Sequence, residues 1–227
     1  MRYKENDLII AIDGPAGAGK STVARLVAKR LGYLYINTGA MYRAITLKAL
    51  QNSMDLENEN ELVELAKGSK ISFEDGGSRV ILDGNDITQE IKTPEIDKKI
   101  STVVKHPRLR EIMVKQQQDI GKQGDAVSEG RDLTTVVFPD AEVKIYLDAS
   151  LDERTKRRYE ELKQKGYDLD VTQVQKDTAR RDESDKTREH GPLRLAQDAI
   201  LLDTTGMNID QVVESIIEIV EKKNHES

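Results

Sequence analysis

The stretch GPAGAGKST, residues 14–22, decides the fold of this chain. Three glycines and two alanines precede a lysine, a serine and a threonine, and Gly14 to Ser21 fits the phosphate-binding pattern G-x-x-x-x-G-K-[ST]. Backbone N–H groups must approach phosphate oxygens closely in such a loop, and Cβ atoms would obstruct them. The stretch therefore predicts a cradle for the phosphates of a nucleoside triphosphate.

The residues on both sides supply the context that this loop requires. The run Leu8–Asp13 is apolar, as in a strand buried on both faces of a parallel sheet. Apolar residues at helical spacing follow the loop, and Gly32 is expected to end that helix. A dinucleotide-binding fingerprint, the competing Gly-rich motif, does not require Lys-Ser/Thr and ranks lower.

Each end of the loop has an expected role. Lys20 would place its charge on the β- and γ-phosphates, and Ser21 would offer its hydroxyl to Mg²⁺. The helix N-terminus adds unpaired N–H groups and a favourable dipole. The residues predicted to bind ATP are Gly14, Pro15, Ala16, Gly17, Ala18, Gly19, Lys20, Ser21 and Thr22.

The rest of the chain alternates predicted strands and helices, which indicates an α/β fold around a parallel sheet. Predicted strands lie at 33–37, 125–132, 141–150 and 199–205, and an amphipathic helix closes the chain from Asn208. The segment 70–88 breaks this alternation with a predicted hairpin around DGGS, followed by two helices separated at Pro107. We interpret it as an insertion.

Composition excludes several classes of function. The net charge of −6 disfavours non-specific nucleic-acid and anionic-lipid contact, and the absence of cysteine excludes disulfides and thiolate chemistry. No apolar run approaches the ~20 residues of a membrane span, and the N-terminus resembles no secretory signal. We expect a cytoplasmic monomer that binds small nucleotides, without nucleic-acid or membrane partners.

Arginines without an obvious general base point to the acceptor. Arg131 follows a predicted buried strand, where a charge needs a partner or a ligand. One helical face carries Arg154, Arg157 and Arg158. This face could contact a ligand or could equally be a solvated surface. A phosphate acceptor has a second pKa of about 6 and needs no strong base, whereas an alcohol acceptor favours a poised carboxylate. The pattern therefore favours a nucleoside monophosphate as acceptor.

Two alternatives stay open at this point. A nucleoside or small-metabolite kinase would differ in base preference, and a nucleotide-dependent switch would bind ATP without acceptor-dependent turnover. The N-K-x-D motif of GTPases and the L-S-G-G-Q motif of transporter ATPases are absent.

Four segments in this order and spacing resemble the bacterial cytidylate kinase family: DGPAGAGKST, NTGAMYR, EGRDLTTVVFPDAEVKIYLDAS and RRDESDKTREHGPL. The resemblance covers nearly the whole chain. It implies a single P-loop kinase domain with a parallel central sheet flanked by helices, its core at about 1–66 and 107–227. It also implies an inserted monophosphate-binding region at about 67–106 and an Arg-rich lid at about 154–188. The implied reaction moves the γ-phosphate of ATP to CMP or dCMP, giving ADP and CDP or dCDP for pyrimidine metabolism.

The resemblance also implies roles at the phosphates. Arg43 and Arg131 would hold the CMP phosphate with Thr38 beside it, and Arg157 and Arg158 would belong to a mobile lid that closes on ATP. The residues expected to be catalytic are Lys20, Arg131, Arg157 and Arg158.

At the nucleoside, the resemblance implies a second set of contacts. The residues expected to read the cytosine edge are Ser101, Arg110, Asp132 and Arg188. Arg181 and Asp185 would bind the ribose hydroxyls. Taken alone, a serine on a predicted helix is typical of a solvated position.

Two positions depart from the family pattern. Asn37 stands where Asp is common before TGAMYR, and Thr134 replaces a glycine after GRD. Because a β-branched residue avoids positive φ, the turn after Asp132 must either not need that conformation or be rebuilt. We expect altered local geometry and an unchanged reaction.

Overall fold

The computed structural model describes residues 8–167 and 170–226. Residues 1–7, predicted to begin the core and to lack a secretory signal, lie outside the described residues. So do residues 168–169 of the predicted lid, and Ser227.

Five strands form the predicted parallel sheet, and three form a smaller antiparallel one. In chain order the strands are β1 (Ile9–Asp13), β2 (Leu34–Asn37), β3 (Ile71–Glu74), β4 (Arg79–Leu82), β5 (Asn85–Asp86), β6 (Ala126–Glu129), β7 (Val143–Asp148) and β8 (Ile200–Asp203). The main sheet has the order β2-β6-β1-β7-β8, with parallel pairing throughout. The carboxyl ends of its strands therefore meet at one edge.

Eight helices surround the two sheets in the described part of the chain. They are α1 (Lys20–Leu31), α2 (Thr38–Gln51), α3 (Glu59–Lys67), α4 (Pro94–Val103), α5 (Pro107–Gly121), α6 (Leu151–Gln164), α7 (Val171–Thr187) and α8 (Ile209–Glu226). The boundaries follow local chemistry: Gly32 ends α1 with φ 74°, and Pro107 begins α5 where the sequence predicts the break. The Asn37 side chain caps α2 by accepting from the Ala40 N–H.

The predicted hairpin is confirmed, with a third short strand added. Strands β3 and β4 pair antiparallel around a turn at 75–78, and β5 is the second half of the DGND stretch, after a turn at 83–84. The boundaries at 67 and 106 stay a prediction. However, the predicted insertion packs into an apolar cluster that also includes α2, α3 and α5, with Met41, Leu62 and Leu109 fully buried in it.

A second apolar cluster fills the space between the main sheet and helices α1 and α8. Ile12, Val27, Ile145 and Ile216 are fully buried there, so this core is aliphatic, as the scarcity of aromatic residues predicts. Buried acidic residues, Asp13 and Glu129, lie at the carboxyl ends of β1 and β6. Within the described ranges, no helix has both the length and the apolarity to cross a bilayer.

Candidate active site

The phosphate-binding loop connects β1 to α1 at the carboxyl edge of the sheet. Gly14 has a φ of 150°, and a Cβ atom there would collide with the Leu147 carbonyl group. Gly19 is the N-cap of α1, and no side chain caps that helix or places an acidic group in its first turn. The first amides of α1 are therefore available to an anion.

Lys20 is the first residue of α1, and its side chain is buried beneath the loop. Its Nζ donates to the Pro15 carbonyl at 2.7 Å, which folds the side chain back along the loop. Burial, aided by the nearby Arg131, lowers the pKa of Lys20 to about 7. The group is therefore poised to gain a proton when negative charge arrives.

Ser21 contacts an acidic residue that the sequence reasoning did not single out. The Ser21 hydroxyl donates to Glu129 Oε1 at 2.7 Å, and Glu129 is buried at the end of β6. The backbone carbonyl of Glu129 accepts from the Thr38 hydroxyl at 2.8 Å. One residue thus connects the phosphate-binding loop to the start of α2.

Asp13, at the end of β1, is fully buried, and both of its carboxylate oxygens accept hydrogen bonds. One of its carboxylate oxygens accepts from the Leu133 N–H at 2.9 Å; the other accepts from the Thr134 N–H and hydroxyl at 2.8 and 2.7 Å. Burial outweighs these bonds and raises the pKa of Asp13 to about 6. Its oxygens therefore hold the segment that follows β6 and do not face a substrate.

The conformation of this segment explains how a threonine is accommodated at position 134. Residues Leu133–Val137 form a single π-helical turn, in which Thr134 has no positive φ. The turn therefore does not need a glycine conformation here. The threonine hydroxyl instead supplies one of the hydrogen bonds to Asp13.

Arginines converge beside the loop. Arg131 Nε donates to Asp185 Oδ2 at 2.6 Å, and Arg43 pairs with Asp97 at 3.0 Å. Arg181 lies close to both arginines and has no hydrogen bond or ion pair among the described residues. Burial, together with Arg131 and Arg43, lowers the pKa of Arg181 to about 10. Clustered cations of this kind favour a polyanionic ligand.

A second polar group is built around Arg110 and Asp132. Arg110 is buried, pairs with Asp132, and lies over the Tyr42 ring at 5.7 Å. Arg188 Nη2 lies 3.5 Å from Asp132 Oδ1, in a geometry that is not a hydrogen bond. Three buried polar atoms at this group make no hydrogen bond of standard geometry: Tyr42 Oη and Gln117 Nε2, which lie close to each other, and Arg188 Nη2. A buried polar atom without a hydrogen bond lowers the stability of the fold unless a ligand supplies the missing partner.

The sequence profile of the family described as "Cytidylate kinase" matches residues 10–222. The chain belongs to the cytidylate kinase family. A cytidylate kinase from Bacillus velezensis is 51% identical over 97% of this chain and 99% of the relative, and one from Bacillus subtilis is 50% identical over the same shares.

Among solved structures, the likeness supports the fold alone. An uncharacterised protein from Eubacterium ventriosum superposes with a TM-score of 0.52 at 14% identity, covering 94% of this chain and 98% of the other. The predicted α/β P-loop kinase fold is confirmed by the parallel sheet, the loop position and the family match.

Within this cytidylate kinase fold, the predicted phosphate and base residues lie close together with one exception. Ser101 is exposed on α4 and donates to the Lys98 carbonyl of its own helix at 3.3 Å. No hydrogen bond in the described residues joins it to Arg110, which is buried. Its role in reading cytosine stays a prediction, and its present environment is the solvated one typical of such a serine.

The predicted lid arginines point to three different places. Arg157 donates to Thr204 through Nη1 and Nη2 at 3.0 and 2.8 Å, and Arg158 Nη2 donates to Asp97 at 2.9 Å. Arg154 is buried, pairs with Asp182 and donates to the Ala16 carbonyl of the phosphate-binding loop at 3.0 Å. A solvated face, one of the two interpretations of this helix, is therefore wrong for Arg154.

Asp182 and Glu129 are the supporting residues that sequence reasoning missed, and for Arg154 it left a solvated and a functional position equally open. Asp182 also accepts from the Ala16 N–H at 3.0 Å, so the Arg154–Asp182 pair clamps both polar groups of that residue. The only available signal was position: Arg154 lies on the Arg-rich helical face and Glu129 lies in the EGRD motif.

Proposed function

We propose that this protein transfers the γ-phosphate of ATP to CMP or dCMP, giving ADP and CDP or dCDP. The observation that carries the proposal is an uncapped phosphate-binding loop beside clustered arginines, with the Asp13 carboxylate before the loop fully engaged in hydrogen bonds. An alcohol acceptor would need a base to remove its proton. A nucleoside monophosphate is largely a dianion at neutral pH, since its second pKa is about 6, and it needs none.

Catalysis in this site would consist of positioning and charge stabilisation. Lys20 and the amides of residues 14–22 would hold the donor phosphates. Arg43 and Arg131, with Thr38, would hold the acceptor phosphate, and Arg157 and Arg158 would complete the cluster when the lid closes. The position of Arg131 supports its role independently, because it lies near Lys20 and is bonded to Asp185 at the edge of the sheet.

The nucleoside would bind at the second polar group. Arg110, Asp132 and Arg188 would recognise the cytosine edge with Ser101, and Arg181 and Asp185 would bind the ribose. The unpartnered atoms at Tyr42, Gln117 and Arg188 support a polar base at this place.

The residues around the loop also fit a Mg²⁺ ion accompanying ATP. The Ser21 hydroxyl and the Glu129 carboxylate lie within 2.7 Å of each other and are hard oxygen donors. Mg²⁺ commonly takes one or two carboxylates, waters and substrate phosphates. The bound ion would neutralise charge on the phosphate oxygens.

A coupled assay for ADP production tests the proposal. With ATP and Mg²⁺, CMP and dCMP should give turnover well above UMP, AMP and GMP. Equal rates with all five would reject the base assignment, and ATP binding without acceptor-dependent turnover would reject a kinase. We further propose a cytoplasmic monomer, whose mass in solution light scattering can measure.

A further inference from the structure

Asp97 connects three separate elements of the fold. It lies in the first turn of α4, within the insertion. Its Oδ1 accepts from Arg43 on α2, at 3.2 Å from Nε and 3.0 Å from Nη2. Its Oδ2 accepts from Arg158 on α6 at 2.9 Å. One carboxylate thus occupies two of the cations assigned above to the phosphates.

We propose that Asp97 is a positioning residue that competes internally with the acceptor's phosphate for Arg43 and Arg158, and so sets the affinity for that phosphate. The inference rests on the proposed function in one respect, namely that Arg43 binds the acceptor phosphate. Asp97 would keep both guanidinium groups in place until the nucleotide displaces it.

The contacts resemble those that a phosphate would make. Arg43 presents two N–H groups to one oxygen and Arg158 presents one to the other, an arrangement that guanidinium groups adopt with carboxylates and phosphates alike. A phosphate dianion carries more charge and one more accepting oxygen than a carboxylate. It should therefore replace Asp97, although the carboxylate reduces the net gain.

Asp97 is suited to an exchange of this kind. Its side chain and that of Arg43 are each 21% exposed, and that of Arg158 is 27% exposed, so the pairs are reachable by a ligand. Burial opposes ionisation, but Arg43, Arg181 and Arg158 keep the pKa of Asp97 below its ordinary value. The carboxylate is therefore charged at neutral pH.

The surrounding contacts argue against a purely structural role. Thr93 caps α4 by accepting from the Ile96 N–H, so Asp97 is not needed as the cap. Arg158 has a second partner, Glu161, at 2.7 Å on its own helix. Release of Asp97 would therefore leave neither α4 uncapped nor Arg158 without a partner.

Isothermal titration of CMP and of cytidine into the wild type and Asp97→Asn tests the inference. The variant should bind CMP about fivefold more tightly, the scale of a partly exposed ion pair, and should bind cytidine with unchanged affinity. Asp97→Glu should restore weaker CMP binding. Glu95→Gln is the matched control: it removes an exposed carboxylate from the same first turn of α4, one that is not bonded to Arg43 or Arg158, and should leave CMP affinity unchanged.

The outcomes separate the two proposals. Failure of wild-type protein to bind CMP would overturn the proposed function. If wild-type protein binds CMP, then equal or weaker binding by Asp97→Asn, or an equal gain for cytidine, would overturn the role of Asp97 alone. Asp97→Ser, which also suits the first turn of a helix, gives the same comparison if the asparagine variant fails to fold.

Discussion

Binding of ATP should be coupled to proton uptake at Lys20. The pKa of Lys20 is about 7 in the free protein because the side chain is buried and Arg131 lies nearby. At pH 8, one unit above that value, about nine tenths of the Lys20 side chains are neutral. The phosphates of ATP stabilise the ammonium form, so binding at pH 8 should take up about 0.9 proton for each site.

The pH dependence of ATP affinity follows from the lowered pKa of Lys20. Below about pH 6 nearly all of the free lysine already carries its proton, so this group gives ATP affinity almost no pH dependence there. Above pH 7 the proton must be acquired on binding, and affinity should fall by up to about tenfold for each pH unit. ATP itself is fully ionised at pH 8 and does not obscure the effect.

Calorimetric titration at pH 8, in two buffers of different ionisation enthalpy, measures the uptake directly. Lys20→Arg is the matched control, because guanidinium stays protonated at this pH and should remove the uptake. Wild-type binding without proton uptake would refute the reasoning, and so would a Lys20→Arg variant that takes up as many protons as the wild type.

Two further predictions concern stability. Thr134→Val keeps the shape but removes the hydroxyl that donates to Asp13, and should lower the free energy of unfolding by about 1–3 kcal/mol in urea denaturation; an unchanged midpoint would contradict the role of that bond. Gly14→Ala would place a Cβ against the Leu147 carbonyl, whereas the same change at Gly32 meets open space and only a positive φ. Thermal unfolding should therefore show that Gly14→Ala lowers the free energy of unfolding by much more than the about 1 kcal/mol expected for Gly32→Ala. Equal decreases for the two variants would be evidence against the close packing at the loop.

The fold could be predicted because its signals are local. The apolar run before Gly14, the spacing of apolar residues before Gly32 and the break at Pro107 each depend on neighbours in the sequence. Those signals determine elements and their order, and parallel pairing follows from strand–helix alternation.

The supporting contacts of the site could not be predicted in the same way. Asp97 meets Arg158 across 61 positions, and Ser21 meets Glu129 across 108. Nothing in the local pattern of a charged helix says which distant carboxylate an arginine will meet. For the same reason Arg154, on a helix rich in Glu and Lys, looked like a solvated residue as readily as a buried one.

The carboxylates around the phosphate-binding loop already have partners, and this favours transfer to a phosphate acceptor over transfer to water. Asp13 is held by backbone and threonine donors, Glu129 by Ser21, and Asp182 and Asp185 by arginines. A water molecule, unlike a phosphate dianion, needs a base to attack the donor nucleotide. Since these carboxylates are already committed, wasteful hydrolysis would be restrained by the chemistry of the open site itself, before any lid has moved.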